Sequence, residues 1–123
     1  MSKGSIDDGI VFHAGFPNAA EDEKFGSLSL DKLVVRHPAS TFFWRLDHDI
    51  PELLWTRGSV VVVDRGLELR DGSLAVVMLD GDFILARYRD KKLARLSGEV
   101  IDGEIAVWGI VTHCVQTLRG GSL

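Results

Sequence analysis

The sequence predicts a mainly β domain, a partly closed barrel or a sandwich, with one short helix and an extended N-terminal arm. Val60 to Val63 are four consecutive β-branched residues, a pattern typical of a strand buried on both faces. Asp80-Gly81 lies between two apolar runs and is a signal for a two-residue type I′ hairpin turn. The apolar run from Ile105 to Val115 indicates a long last strand, with Gly109 as an expected bulge or bend.

The chain is expected to divide into an arm (residues 1–29), a β domain (residues 30–119) and a frayed tail (residues 120–123). The arm has little apolar content apart from Ile10-Val11-Phe12, which is therefore the segment expected to dock on the sheet or on another subunit.

A short helix is predicted after Ser29, whose side chain can cap it. Leu30, Leu33 and Val34 have the spacing of one apolar stripe, and Pro38 ends the helix. The other predicted strands are an aromatic run beginning near Thr41, the two hairpin strands and a short strand at residues 93–96. The loop between the aromatic run and Val60 is the place where a small β domain would keep its chemistry.

Composition excludes several classes of protein. The net charge is −4, which argues against direct nucleic-acid binding. A single cysteine excludes an internal disulfide, and Cys114 lies in an apolar run, where a small buried hydrophobe is expected. No apolar run approaches the roughly 20 residues of a membrane helix, so a cytoplasmic protein without membrane contact is expected.

Other polar and aromatic groups have a structural interpretation beside a functional one. Asp47-His48-Asp49 are adjacent on the chain and cannot all face one metal ion, so neither a metal nor a cofactor is predicted. The three tryptophans are expected in the core, and exposure of Trp55 in the loop after Pro51 would instead mark a binding surface. The predicted hairpin ends in a cluster of basic residues, Arg87, Arg89, Lys91, Lys92 and Arg95. We interpret this cluster as a solvated sheet edge, and the alternative is a docking patch for an acidic partner.

Five segments in order resemble one family: GFPNAAEDE, LDKLVVRHPAS, VVVDR, LDGDFILAR and WGIVTH. Over roughly residues 10–119 the chain is similar to UmuD and to the carboxyl-terminal domain of LexA. The resemblance implies the LexA/UmuD-type β fold and a homodimer. In the UmuD branch it also implies an accessory subunit of an error-prone Y-family DNA polymerase in the SOS response to DNA damage, with the RecA filament as a further partner.

Members of this family cleave their own arm with a serine nucleophile and a neutral lysine base, whose pKa must be depressed by burial. The resemblance aligns the serine with Ile50 and the lysine with Ala86, so both groups are replaced. No serine lies between Thr41 and Gly58, and a guanidinium such as that of Arg87 does not act as a base. We therefore expect a pseudo-peptidase.

Two alternatives stay open: an active self-cleaving serine peptidase with a misaligned nucleophile, and a decoy that forms heterodimers with an active relative. Ala14-Gly15 aligns with the family's cleaved bond. The segment Ile10-Val11-Phe12 is expected to pack into or beside the former catalytic cleft. Dimerisation is expected through sheet edges, the last strand above all, or through the arm.

Overall fold

A computed structural model describes residues 11–13 and 29–120, which form one antiparallel sheet and one short helix. The sheet has seven strands in the spatial order β1-β2-β3-β7-β4-β5-β6. The strands are β1 (Val11–His13), β2 (Thr41–Arg45), β3 (Val60–Asp64), β4 (Leu74–Leu79), β5 (Asp82–Arg89), β6 (Lys92–Arg95) and β7 (Ala106–Val115). The predicted mainly β class is confirmed.

The sheet curls over one face, so that strands far apart in the sheet order meet. Trp44 of β2 packs edge-on against Phe83 of β5, with ring centroids 5.0 Å apart, although three strands separate β2 from β5. The main hydrophobic cluster fills this curl. Its buried members are Trp44, Leu46, Ile50, Val61, Val63, Leu74, Val76 and Leu85. The sheet is thus partly closed by curling and side-chain packing.

A second hydrophobic cluster contains alternate residues of two strands, Ala75 and Val77 of β4 and Ile84 and Ala86 of β5, together with Ile110 of β7. Successive side chains of a strand point to opposite faces, so the two clusters lie on opposite faces of these strands. Burial on both faces explains why β3 and β4 are almost continuously apolar.

The helix α1 (Leu30–Val34) begins where the sequence predicts, because the Ser29 side chain accepts a hydrogen bond from the Lys32 amide at 3.3 Å. Its apolar stripe is not in the core. Leu30 is 57 % exposed and Leu33 is 47 % exposed. The helix therefore presents leucine side chains on the surface of the domain.

Both short turns of the β4–β5–β6 meander have left-handed backbone. Asp80 and Gly81 have φ values of 52° and 84°, as the predicted type I′ turn requires. Asp90 and Lys91 join β5 to β6 with φ values of 51° and 62°. The second turn uses two non-glycine residues in a region that side chains rarely adopt.

The expectation that the last strand forms an open edge is wrong. β7 lies between β3 and β4, and both of its edges are used in pairing. The expected bulge is present, because the register against β4 shifts between Val76 and Val77, opposite Gly109 and Val107. A Cβ at Gly109 would lie 2.6 Å from Cγ1 of Val63, so β3 approaches the strand too closely for any side chain.

The first strand belongs to the arm. β1 pairs antiparallel with β2, with Val11 opposite Trp44 and His13 opposite Phe42. Ile10, Ala14 and Gly15 lie outside the described residues, so packing of the arm against the cleft that the resemblance implies stays a prediction. In the part of the chain that is described, no helix is long and apolar enough to cross a membrane.

Candidate functional site

Ile50, the residue expected from the resemblance at the nucleophile position, lies at the base of the loop between β2 and β3. Its amide donates to the Trp55 carbonyl at 2.9 Å, and the Trp55 amide donates back at 3.1 Å, so the two residues close a small bridge. A 3₁₀ turn (Pro51–Leu53) fills the loop between them. The Ile50 side chain is fully buried in the main cluster. It contributes to the core and does not line an open cleft.

Ala86, the residue expected from the resemblance at the lysine position, is also fully buried but belongs to the second cluster. Its strand partners are Ala75 and Arg95. Arg87 points to the other face of β5, as the alternation predicts, and donates to the Gly72 carbonyl at 3.0 Å. The structure thus places the two aligned positions in separate parts of the core.

No other pair of side chains in residues 29–120 reproduces a serine with a neutral lysine. The lysines of that range, Lys32, Lys91 and Lys92, are all exposed, so none has the burial that a lysine base requires. Ser59 is buried, but its hydroxyl contacts Thr56 Oγ1 at 3.3 Å and Gln116 Oε1 at 3.4 Å, and neither group is a base. This arrangement cannot activate the Ser59 hydroxyl by proton transfer.

Cys114 is the one thiol of the chain, and it is half-buried on β7. Burial raises its pKa to about 11, although a hydrogen bond with Ser59 acts in the opposite direction. The thiolate is the nucleophilic form of cysteine, so this thiol is inert near neutral pH. Its expected role as a small core residue agrees with this environment.

A polar cluster that was not predicted from the sequence lies just before β2, with Asp64 buried, Ser40 half-buried and His37 exposed. The Asp64 carboxylate at the end of β3 accepts hydrogen bonds from Ser40 Oγ at 2.6 Å and from the Gly66 amide at 2.8 Å, and His37 Nδ1 lies 2.6 Å from its other oxygen. A serine, a histidine and an aspartate are the residues of a hydrolytic triad. Here the carboxylate lies between the other two groups, so the imidazole is not placed to take the serine proton.

Asp64 therefore acts as a structural anchor. Burial by itself raises the pKa of its carboxyl, but the hydrogen bonds from Ser40, His37 and Gly66 outweigh burial and lower the pKa below its usual 3.8. The Arg65 amide also donates to the Ser40 carbonyl at 2.8 Å. Together these contacts fix the chain before β2 to the end of β3. The HPAS segment contains His37 and Ser40, and the VVVDR segment contains Asp64. Because 27 and 24 residues separate these side chains from Asp64, the sequence pattern does not show that they meet.

The remaining candidates from the sequence have ordinary partners. Asp47 Oδ1 lies 2.6 Å from His48 Nδ1, whereas Asp49 accepts from the Arg57 amide at 2.7 Å, so the three adjacent residues do not converge. His113 Nδ1 lies 3.0 Å from Thr112 Oγ1. No group of metal-ligating side chains was found within the described ranges. Trp44 is buried, while Trp55 and Trp108 pack partly buried against the main cluster.

Comparison with known proteins gives related sequences for most of the chain. The Peptidase S24-like family model matches residues 10–99. Protein SamA of Salmonella typhimurium is 30% identical over 113 residues, which cover 86% of this chain and 81% of SamA. Protein MucA of Escherichia coli is 29% identical over 111 residues, covering 81% and 76% of the two chains. Protein ImpA of Shigella flexneri is 28% identical over 115 residues, covering 86% and 79%.

Proposed function

The chain belongs to the Peptidase S24-like family, and from this premise we propose that it is a catalytically inactive, UmuD-like accessory subunit of a Y-family DNA polymerase. The membership confirms the resemblance to UmuD and the LexA carboxyl-terminal domain that the five sequence segments indicated. A protein of this kind acts in the SOS response by binding partners and forms a homodimer. It does not cleave its own arm.

One observation carries the proposed inactivity: fully buried aliphatic side chains occupy both aligned catalytic positions, Ile50 and Ala86. A serine hydroxyl needs a base within hydrogen-bond reach, and a lysine base needs burial to lose its proton. The described residues offer no lysine in the core, and Ser59 has no base within reach. The Ser40 hydroxyl donates to the Asp64 carboxylate, but the lowered pKa of that carboxyl makes it a weak base. Binding is then the function that the domain retains.

The direct test of inactivity is incubation of the full chain at alkaline pH, which favours a neutral lysine in any active member. We expect the intact mass to persist, as measured by mass spectrometry. A fragment beginning at Gly15 would contradict the proposal and favour the active-peptidase alternative. In that event, Ser40→Ala and Ser59→Ala variants would show whether either hydroxyl replaces the missing nucleophile.

Apolar surface beside the helix supports the proposed homodimer. An apolar groove of about 370 Å³ lies between α1 and the sheet, and its lining includes Leu30, Val34 and Phe43. Exposed apolar patches of this kind mark interaction surfaces on soluble domains. We expect dimers in sedimentation experiments at micromolar concentration. A Leu30→Ser/Leu33→Ser variant should shift the protein toward monomer, whereas Leu118→Ser, at a residue 92 % exposed, should not.

The polymerase role is tested by capture from DNA-damaged cells with the intact chain as bait. Recovery of a Y-family polymerase, with or without the RecA filament, is the expected outcome. Recovery of only an active member of the same family would contradict the polymerase role and favour the decoy alternative. The dimer-disrupting variant serves as a second bait, because a decoy that acts through heterodimers should lose its partner together with the dimer.

A further inference from the structure

A basic groove lies next to the loop that carries Ile50, and it is separate from the apolar groove beside α1. It has a volume of about 610 Å³. Glu52 and Leu53 of the 3₁₀ turn form one side, and the β5–β6 hairpin forms the other. Four cationic side chains line it: Arg87, Arg89, Lys92 and Arg95. We propose that this groove binds an acidic peptide segment of a partner protein in extended conformation.

The strand geometry gathers three of these cations on one face. Arg87 and Arg89 are two residues apart on β5, so their side chains share a face. Lys92 of β6 is directly opposite Arg89 in the antiparallel pair and points to that same face. Like charges placed directly opposite each other destabilise a sheet, so the arrangement does not serve the hairpin's own stability.

Within the described part of the chain, no ion pair neutralises these charges. The ion pairs found among the described residues involve His37 and His48 and none of the groove's cations. Arg87 donates to the Gly72 carbonyl, which carries no compensating charge. Two acids, Glu52 and Asp90, line the groove against four cations, in a chain whose overall net charge is −4. The groove is therefore a local positive site on an acidic protein.

The lining favours a peptide over a nucleic acid. Single-stranded nucleic acids bind on aromatic platforms combined with positive charge, and this groove has no aromatic lining residue among the described positions. It offers aliphatic contacts instead, from Leu53, Leu96 and Val100. An extended peptide with carboxylates at alternate positions matches the two-residue spacing of Arg87 and Arg89, and an apolar side chain between them can contact the leucines.

The peptide would bind through its side chains, because the backbone edge of β6 is already occupied. The Arg95 amide donates to the Glu99 carbonyl at 2.7 Å, and the Ile101 amide donates to the Leu93 carbonyl at 2.9 Å. Strand addition at this edge is thereby blocked for residues 93–95. The inference goes beyond the proposed function, since it holds whether or not the chain cleaves itself and whatever its oligomeric state.

The test uses the full chain and a fluorescein-labelled synthetic peptide of about ten residues, with glutamate at alternate positions, alanine between them and one central leucine. Fluorescence anisotropy at low ionic strength measures its binding. The ligand controls are the same peptide with glutamine in place of glutamate and an oligothymidylate of equal length. We expect the glutamate peptide alone to bind, with an affinity that falls as salt is added.

The groove variant is Arg89→Gln/Lys92→Gln, and the matched control is Lys32→Gln/Arg70→Gln, which removes two exposed cations elsewhere. We expect the groove variant to bind the peptide at least about tenfold more weakly and the control to bind within about twofold of the unaltered protein. The groove variant should also unfold at the same or a higher urea concentration, since it removes a like-charge pair. Equal losses in both variants, tighter binding of oligothymidylate, or no peptide binding at about 1 mM would overturn the proposal.

Discussion

Rebuilding a serine and a lysine at Ile50 and Ala86 should destabilise the domain without restoring cleavage. Removing most of a fully buried isoleucine costs about 2–5 kcal/mol, and a buried hydroxyl without a partner adds to this. A lysine that is neutral at pH 7 has lost more than three pKa units from its ordinary value, about 4–5 kcal/mol at roughly 1.4 kcal/mol per unit. The sum of about 6–10 kcal/mol is comparable to the whole stability of a small domain.

Urea unfolding followed by tryptophan fluorescence measures these losses, and mass spectrometry after alkaline incubation measures cleavage. We expect Ile50→Ser and Ala86→Lys to be folded but clearly destabilised, and the double variant to be largely unfolded. Ile50→Val, at about 0.5–1.5 kcal/mol, and Ala106→Lys, at an exposed position of β7, are the matched controls. A double variant that is as stable as the unaltered chain and releases a fragment beginning at Gly15 would refute the reasoning.

The other predictions concern close packing, backbone strain and acid sensitivity. Gly109→Ala should lower the free energy of unfolding by about 1–3 kcal/mol, because its Cβ would lie 2.6 Å from Val63 Cγ1. In a double-mutant cycle, Val63→Ala should recover part of this loss, and strictly additive effects would argue against the clash. Leu54 has φ 58° and is 81 % exposed, so Leu54→Gly should raise the free energy of unfolding by about 1 kcal/mol, seen as a higher urea midpoint. The control Leu118→Gly should give no such gain. The Asp64 carboxyl has its pKa lowered below 3.8 in the folded state, so its contribution to the free energy of unfolding is present above pH 3.8 and is lost as the pH falls through the folded pKa. The Asp64→Asn variant should lack this part of the acid dependence. Identical pH profiles of the urea midpoint in the variant and the unaltered chain would contradict the stabilising role of the Asp64 carboxylate.

The structure shows two separate surface grooves that the sequence pattern did not predict, one apolar and one basic. The leucines of α1 look like core residues by their spacing, yet they border an apolar groove on the outside of the domain. The basic residues of the hairpin look like a solvated edge, yet several of them line a groove beside the loop between β2 and β3. If both surfaces bind partners, the domain can hold a second copy and an acidic segment at the same time.

The sequence by itself determined most of the secondary structure. Val60 to Val63, the Asp80-Gly81 turn and the Ser29 cap are local signals, since each depends on contacts within a few residues along the chain. The resemblance to the family is likewise readable from the order of residues, and the family model confirms it, whereas the alignment of the catalytic positions with Ile50 and Ala86 stays a prediction.

Only the tertiary structure decided which strands are edges and which polar groups meet. β7 is the last strand of the chain but lies between β3 and β4, because strand neighbours are set by tertiary pairing and need not follow chain order. His37 and Ser40 reach Asp64 across 27 and 24 residues, and Ile50 and Ala86 fall into separate clusters. Such contacts depend on how a twisted sheet curls and on which face each side chain takes, and a linear pattern of residue types contains neither quantity.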